Sequence, residues 1–196
     1  AKRSGLKKVV LMTAMGANAN EASPFRRAEL ELEKSGLTYN IIRPNWFLQN
    51  FHTFWIHGIA TQNKILLPAG QAKVSFIDAR DIALTAAKLL TSAQFDNQAF
   101  DLTGPESLDH NAVAAAITKV AGRKIAYQEI SPDDFLKGLI GAGLPQDYSQ
   151  FLVMIMGFLR EGYSERKTTS VKDITRKDPR GLNNYVNDYK TQFMSK

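Results

Sequence analysis

Lys8-Val9-Val10-Leu11-Met12-Thr13-Ala14, Ser23-Pro24 with the helical stretch behind it, and Tyr39-Asn40-Ile41-Ile42-Arg43 stopped by Pro44 decide how this chain is read. The first segment is apolar without alternation, as in a parallel strand with both faces covered. Ser23 stands as an N-cap, Pro24 at the first helical position, and Gly36 as a C-terminal stop. Phe25, Ala28 and Leu32 are expected on the buried stripe of that helix, with Arg26, Arg27, Glu31, Glu33 and Lys34 mostly off it. Strand, helix and strand in this order make the βαβ unit of a parallel sheet.

Outward from this unit, Trp46 to Ala60 reads as one aromatic-rich helix and Gln71 to Phe76 as a strand. Asp81 is expected to cap a helix with the face Ala83, Ala86, Ala87 and Leu90, and Ala99 to Thr103 is a further strand closed by Gly104-Pro105. Then the pattern turns helical. Asp109 caps a helix bearing Val113, Ala116, Ile117 and Val120, stopped by Gly122. Ile125 to Ile130 is extended, and Ser131-Pro132 opens another helix. Leu152, Ile155, Met156 and Leu159 face the core from the next, and Pro179 to Phe193 is a closing helix showing Tyr185, Val186, Tyr189 and Phe193. The expected fold is α/β, the later part of a Rossmann-type parallel sheet with a small, mainly helical C-terminal lobe. The domains are expected at 1–105, with 45–75 contributing to a cleft, and at 106–196.

The composition is that of a soluble globular chain: 196 residues, 44% hydrophobic and 22% charged, without cysteine. No cysteine means no disulfide and no thiolate metal site, which fits a cytoplasmic protein. No apolar run reaches the length of about eighteen residues that crosses a bilayer. The net charge of +6 comes from scattered lysines and arginines, and the densest stretch, Arg166 to Arg180, is interrupted by Asp173 and Asp178. This reads as a solvated mixed surface, not a nucleic-acid patch. His52, His57 and His110 lack metal-ligand spacing, and no serine or cysteine nucleophile stands beside a base.

A dinucleotide site in this architecture needs closely spaced glycines between a strand and a helix. The nearest stretch, Gly141-Ala142-Gly143, lies between helices and lacks the third glycine. The chain also opens without methionine, partway through what reads as a helix, and its first apolar strand expects more neighbours than the sequence supplies. A truncated or processed N-terminus is the expectation. The alternative is a protein that dispenses with the cofactor half or receives it from another chain.

Together, Lys8 to Ala17, Ser23-Pro24-Phe25, Glu31 leading into Ser35 to Tyr39, Ile41 to Asn50, Phe76 to Ala83 and Leu102 to Glu106 resemble the NmrA-like branch of the atypical short-chain dehydrogenase/reductase superfamily. The tail through Gly143-Leu144-Pro145 is similar to that family's small substrate-side domain. The resemblance implies NAD(P), with NADP preferred and binding incomplete without the missing glycine-rich part, and a substrate cleft between the two domains. It implies either a reductase of quinones or similar small conjugated carbonyl compounds by direct hydride transfer, or a non-catalytic dinucleotide sensor that binds a protein partner.

It further implies that Thr13, Ala14 and Met15, at the carboxyl end of the first strand, lie beside the nicotinamide ribose. Pro44, Asn45 and Trp46 leave the second strand at the same edge. There Asn45 is placed to bond a carboxamide, or only to tie loop backbone. Phe47, Phe51 and Trp55 either stack a flat substrate or fill core. Where reductases of the superfamily carry Tyr-x-x-x-Lys, this chain has Phe25-Arg26-Arg27-Ala28-Glu29, so the usual acid–base pair is gone. Arg26 or Arg27 is the remaining candidate to polarise an acceptor oxygen, against a role as helix-surface arginines paired with Glu29 to Glu33. Asp78 and Asp81 read as structural. Small-molecule substrate is the expected partner, without nucleic acid or membrane.

Overall fold

The computed structural model describes residues 5–194; the helix expected at the N-terminus falls largely outside the described residues, and 5–7, which lead into the first strand, are not helical. The βαβ unit is present: β1 (Lys8–Met12), α1 (Pro24–Lys34) and β2 (Thr38–Pro44). After it come α2 (Ile56–Gln62), β3 (Lys64–Leu67), α3 (Ala79–Thr91), β4 (Gln98–Leu102), α4 (His110–Ala121) and β5 (Ala126–Glu129). The remainder is helical: α5 (Pro132–Gly141), α6 (Gln146–Arg160), α7 (Ser170–Thr175), α8 (Leu182–Asp188) and α9 (Lys190–Phe193). Two sheets form, both parallel, in the orders β1-β2-β4 and β3-β5.

The chain makes two compact units, each assembled from separate segments. The first comprises 1–47, 76–105 and 167–180, and the second 48–75, 106–166 and 181–196. Segment 167–180 joins the first because Thr168 is bonded there: its amide donates to Thr103 Oγ1 (2.9 Å) and its hydroxyl to the Asp101 carbonyl (2.8 Å). It carries α7, whose Val171 and Ile174 pack with Ile42, Ile77, Ile82, Leu89 and Leu102 in one core. Side chains alternate across a strand. Ile42 therefore faces this core, while Arg43 turns to the opposite face and meets α1.

Several elements differ from the sequence reading, each for a tertiary reason. Trp46 to Ala60 is not one helix. The Ile77 amide donates to the Trp46 carbonyl (2.9 Å), making a parallel bridge between Phe47 and Ile77 that holds 46–47 extended. A 3-10 turn over Leu48–Phe51 follows, and α2 begins only at Ile56. Gln71 to Phe76 is irregular but for an isolated bridge of Val74 to Leu108. The strand not foreseen is β3, launched by Asn63 in the left-handed region (φ 56) and paired with β5.

In α3 the cap is Asp78, whose carboxylate accepts from the Arg80 amide (2.9 Å). Asp81 is instead buried and accepts from the Arg180 amide (2.6 Å) and guanidinium. The buried face of α3 is Asp81, Ile82, Thr85 and Leu89, and Leu90 is exposed. In α1 Phe25 and Ala28 are exposed, and the buried residue is Glu29. β1 is only half-buried with Met12 exposed, because it is hydrogen-bonded on the β2 side alone among the described residues. The closing segment is split between α8 and α9, and Tyr185, Val186 and Phe193 are buried.

Candidate functional site

The carboxyl ends of β1 and β2 lie side by side. The Thr13 amide donates to the Ile42 carbonyl and the Met15 amide to the Pro44 carbonyl, both at 3.0 Å. The Asn45 amide donates to the Leu102 carbonyl at 2.9 Å. Thr13 to Met15 and Pro44 to Trp46 are thus brought to one sheet edge, where ligands of open parallel sheets bind.

At this edge is a buried ionic cluster. Glu29 has no exposed surface. Its Oε1 accepts from the Thr13 hydroxyl (2.6 Å) and Arg43 Nε (2.8 Å), and its Oε2 from an Arg43 terminal nitrogen (2.7 Å) and from Arg26 (2.9 Å). The two Arg43 bonds form the bidentate fork that suits a carboxylate. Arg26 also donates to Glu33 (2.7 Å), and Asp101 lies 3.9 Å from the other terminal nitrogen of Arg43. Burial alone would raise the Glu29 pKa, but donation from Arg43, Thr13 and Arg26 outweighs it and lowers the carboxyl to about 2. The Arg43 pKa is raised, chiefly by its bonds to Glu29. The Arg26 pKa is raised through Glu33 and then Glu29.

An ionised carboxylate only accepts. The Thr13 proton is therefore directed at Glu29, and the hydroxyl offers acceptor lone pairs elsewhere. Arg26 is held by two carboxylates, which is the ion-paired alternative for that residue, and Arg27 is exposed. Asn45 is buried, and its Oδ1 accepts from the Trp46 amide (2.9 Å), so that side chain ties loop backbone. Phe47 packs against the core of the first unit.

Phe51 and Trp55 belong to the second unit. Phe51 is fully enclosed, edge-on to Trp55 with ring centres 4.9 Å apart, and so fills core, one of the two alternatives for this ring. Trp55 is half-buried. His110 lies among Phe51, Trp55 and Tyr127, and burial lowers its pKa to about 4.

In the sequence Glu29 stands out by its charge against the Tyr-x-x-x-Lys helix that the resemblance implies, and its burial is not visible there. The available signal is Arg43, a cation directly after Ile41-Ile42 in a strand expected to be buried, which has to find a carboxylate.

Among the described residues no group of His, Cys, Asp and Glu could hold a metal ion, and no helix is long and apolar enough to cross a membrane. A dinucleotide's pyrophosphate would need closely spaced glycines after a strand. Between β1 and α1 a single glycine, Gly16, is present (φ 86), and Gly141-Ala142-Gly143 joins α5 to α6 without a preceding strand. These residues provide no glycine cradle for a pyrophosphate.

The sequence pattern of the NmrA-like family matches residues 27–186. The uncharacterized oxidoreductase YesF of Bacillus subtilis (strain 168) is 33% identical over 187 residues, covering 95% of this chain and 65% of YesF. The NAD(P)H azoreductase of Xenophilus azovorans is 28% identical, covering 98% of this chain and 68% of that protein. The Escherichia coli NADPH-dependent quinone oxidoreductase, solved with NADPH, superposes with a TM-score of 0.84 at 21% identity, covering 96% of this chain and 67% of that one. The chain therefore spans about two thirds of the length of these curated relatives. With a parallel Rossmann-type sheet and a family match over most of its length, the chain belongs to the NmrA-like family.

Proposed function

We propose that this sequence works as part of an NAD(P)H-dependent reductase of a quinone or similar small conjugated carbonyl compound, with the phosphate grip on the cofactor supplied by residues outside these 196. The reductase names of its relatives support the general reaction. The acceptor class rests on one observation, that Glu29 is clamped by Thr13, Arg43 and Arg26 in a helix where the resemblance implies a Tyr-x-x-x-Lys pair and this chain has Phe25 and Glu29. No group in this cluster is poised to give up a proton near neutrality. An isolated ketone becomes an alkoxide on reduction and needs an acid at once. A conjugated acceptor spreads the incoming charge over its ring and can take its proton from water. Thr13, as an acceptor, and Trp46, at the same edge, would then orient the ligand.

The test is turnover of the purified protein with NADPH or NADH against benzoquinones, naphthoquinones and isolated ketones, followed by loss of reduced-nicotinamide absorbance. Oxidation with quinones and none with ketones is expected. Failure with every quinone despite bound cofactor removes the reading.

The same missing acid–base pair favours a second reading, a non-catalytic sensor. It predicts unequal affinity for oxidised and reduced dinucleotide with no turnover.

A further inference from the structure

Helix α6 carries two apolar stripes where a surface helix normally has one. Ser149, Leu152, Met156 and Leu159 are buried. On another side Phe151, Met154 and Phe158 follow at i, i+3 and i+7 with 36%, 50% and 50% of their surface exposed, flanked by Tyr148 and Tyr163. The rings are already arranged: Tyr148 lies nearly parallel to Phe151 with centres 6.2 Å apart, and Phe158 is edge-on to Tyr163 at 6.1 Å. An aromatic side chain offers roughly 150–250 Å². The exposed parts of these five residues thus sum to about 500 Å², at the upper end of what a monomer leaves uncovered.

The ends of the stripe are acidic. At the same 4-3-4-3 spacing, Asp147 precedes Phe151 and Glu161 follows Phe158, and both are exposed. From Ser131 to Glu165 there are five acidic residues (Asp133, Asp134, Asp147, Glu161, Glu165) against two basic ones (Lys137, Arg160), in a chain of net charge +6. Arg160 is engaged with Glu129.

We infer that this face is a docking surface for a basic amphipathic helix of a partner protein, whose apolar stripe covers Phe151, Met154 and Phe158 and whose lysines or arginines meet Asp147 and Glu161. Charge and length select this occupant. An antiparallel second copy of α6, centred on Met154, would bring Asp147 against Glu161 at both ends, which is repulsive. An anionic membrane surface is repelled in the same way. From Asp147 to Glu161 is about 21 Å along the helix axis, four turns, which a helix matches and a small ligand does not. The 4-3 spacing of the stripe is the seam on which two helices pair.

The probes are two fluorescent peptide helices with identical leucine stripes, one bearing lysines and the other glutamates fourteen residues apart, titrated into the purified chain. The lysine peptide is expected to bind at least about tenfold more tightly, with affinity falling as salt rises. Met154→Ser with Phe158→Ser should abolish binding with unchanged circular dichroism, since both side chains are exposed. Asp147→Lys with Glu161→Lys should reverse the preference toward the glutamate peptide. Equal binding of the two peptides, binding of neither, or no reversal in the charge-swapped variant overturns the proposal. So does a dimer in sedimentation that Met154→Ser dissociates, or adsorption to phosphatidylserine vesicles that the same substitution removes.

Discussion

Removing the Glu29 carboxylate would leave Arg43, itself 8% exposed, as a buried charge without its fork. Glu29→Ala is expected to cost about 3–5 kcal/mol, the usual loss when one partner of a buried pair is deleted, measured by urea denaturation. A Glu29→Ala protein as stable as the parent would show that the cluster contributes nothing. Acid acts on the same residue. Its folded pKa of about 2 lies below the ordinary 4.5, so its stabilisation is complete above 4.5 and fades as pH falls from there toward 2. At this scale the sequence is half legible. Phe25 and Glu29 are visible as departures from a reductase helix, but the stripe through Phe25, Ala28 and Leu32 points the wrong face inward. Hydrophobicity assigns Phe25 to the core, whereas three donors from Thr13, Arg43 and Arg26 draw Glu29 there.

Three positions decide elements. Asp78 begins α3 and also binds the Arg80 guanidinium (2.9 and 2.7 Å), so Asp78→Ala should cost about 1–2 kcal/mol in thermal unfolding. Asp81→Ala should lose stability by a different route, freeing Arg180 and the segment that leads into α8. Gly104 follows β4, and a Cβ there would sit 1.9 Å from the Phe76 carbonyl oxygen. Gly104→Ala is therefore expected to cost about 3 kcal/mol or to prevent folding, read as a lower melting temperature or loss of soluble protein. An unchanged melting temperature would contradict the close approach. Caps with a local bond, such as Asp109 accepting from the Ala112 amide (2.7 Å) and Ser131 from the Asp134 amide (3.0 Å), are readable in sequence because the partner is three residues away. The break within 46–60 is not, because the competing bond runs from Ile77 to Trp46.

For the molecule as a whole, His110 and Glu29 are expected to withdraw stability in two separate acid windows. His110 is buried and neutral, with a pKa of about 4 against 6.5 in an exposed chain. The unfolded state binds its proton first, so stability is full above 6.5 and declines as pH falls to 4, by on the order of 3 kcal/mol. Glu29 then adds its own loss below 4.5. His110→Phe, in a site lined by Phe51, Trp55 and Tyr127, should flatten the upper window and leave the lower one unchanged in denaturant titrations at stepped pH. Equal slopes in the two proteins between 6.5 and 4 would rule His110 out as the origin. The sequence by itself determined the βαβ order, the parallel sheet and the caps at Asp109 and Ser131, because each depends on residues near in the chain. Only the tertiary structure decided that Glu29 is buried beneath Thr13 and Arg43, that Lys64–Leu67 is a strand, and that 167–180 packs with the first unit while 48–75 packs with the second. Those outcomes depend on partners far along the chain, whose hydrogen bonds and charges outweigh local preference.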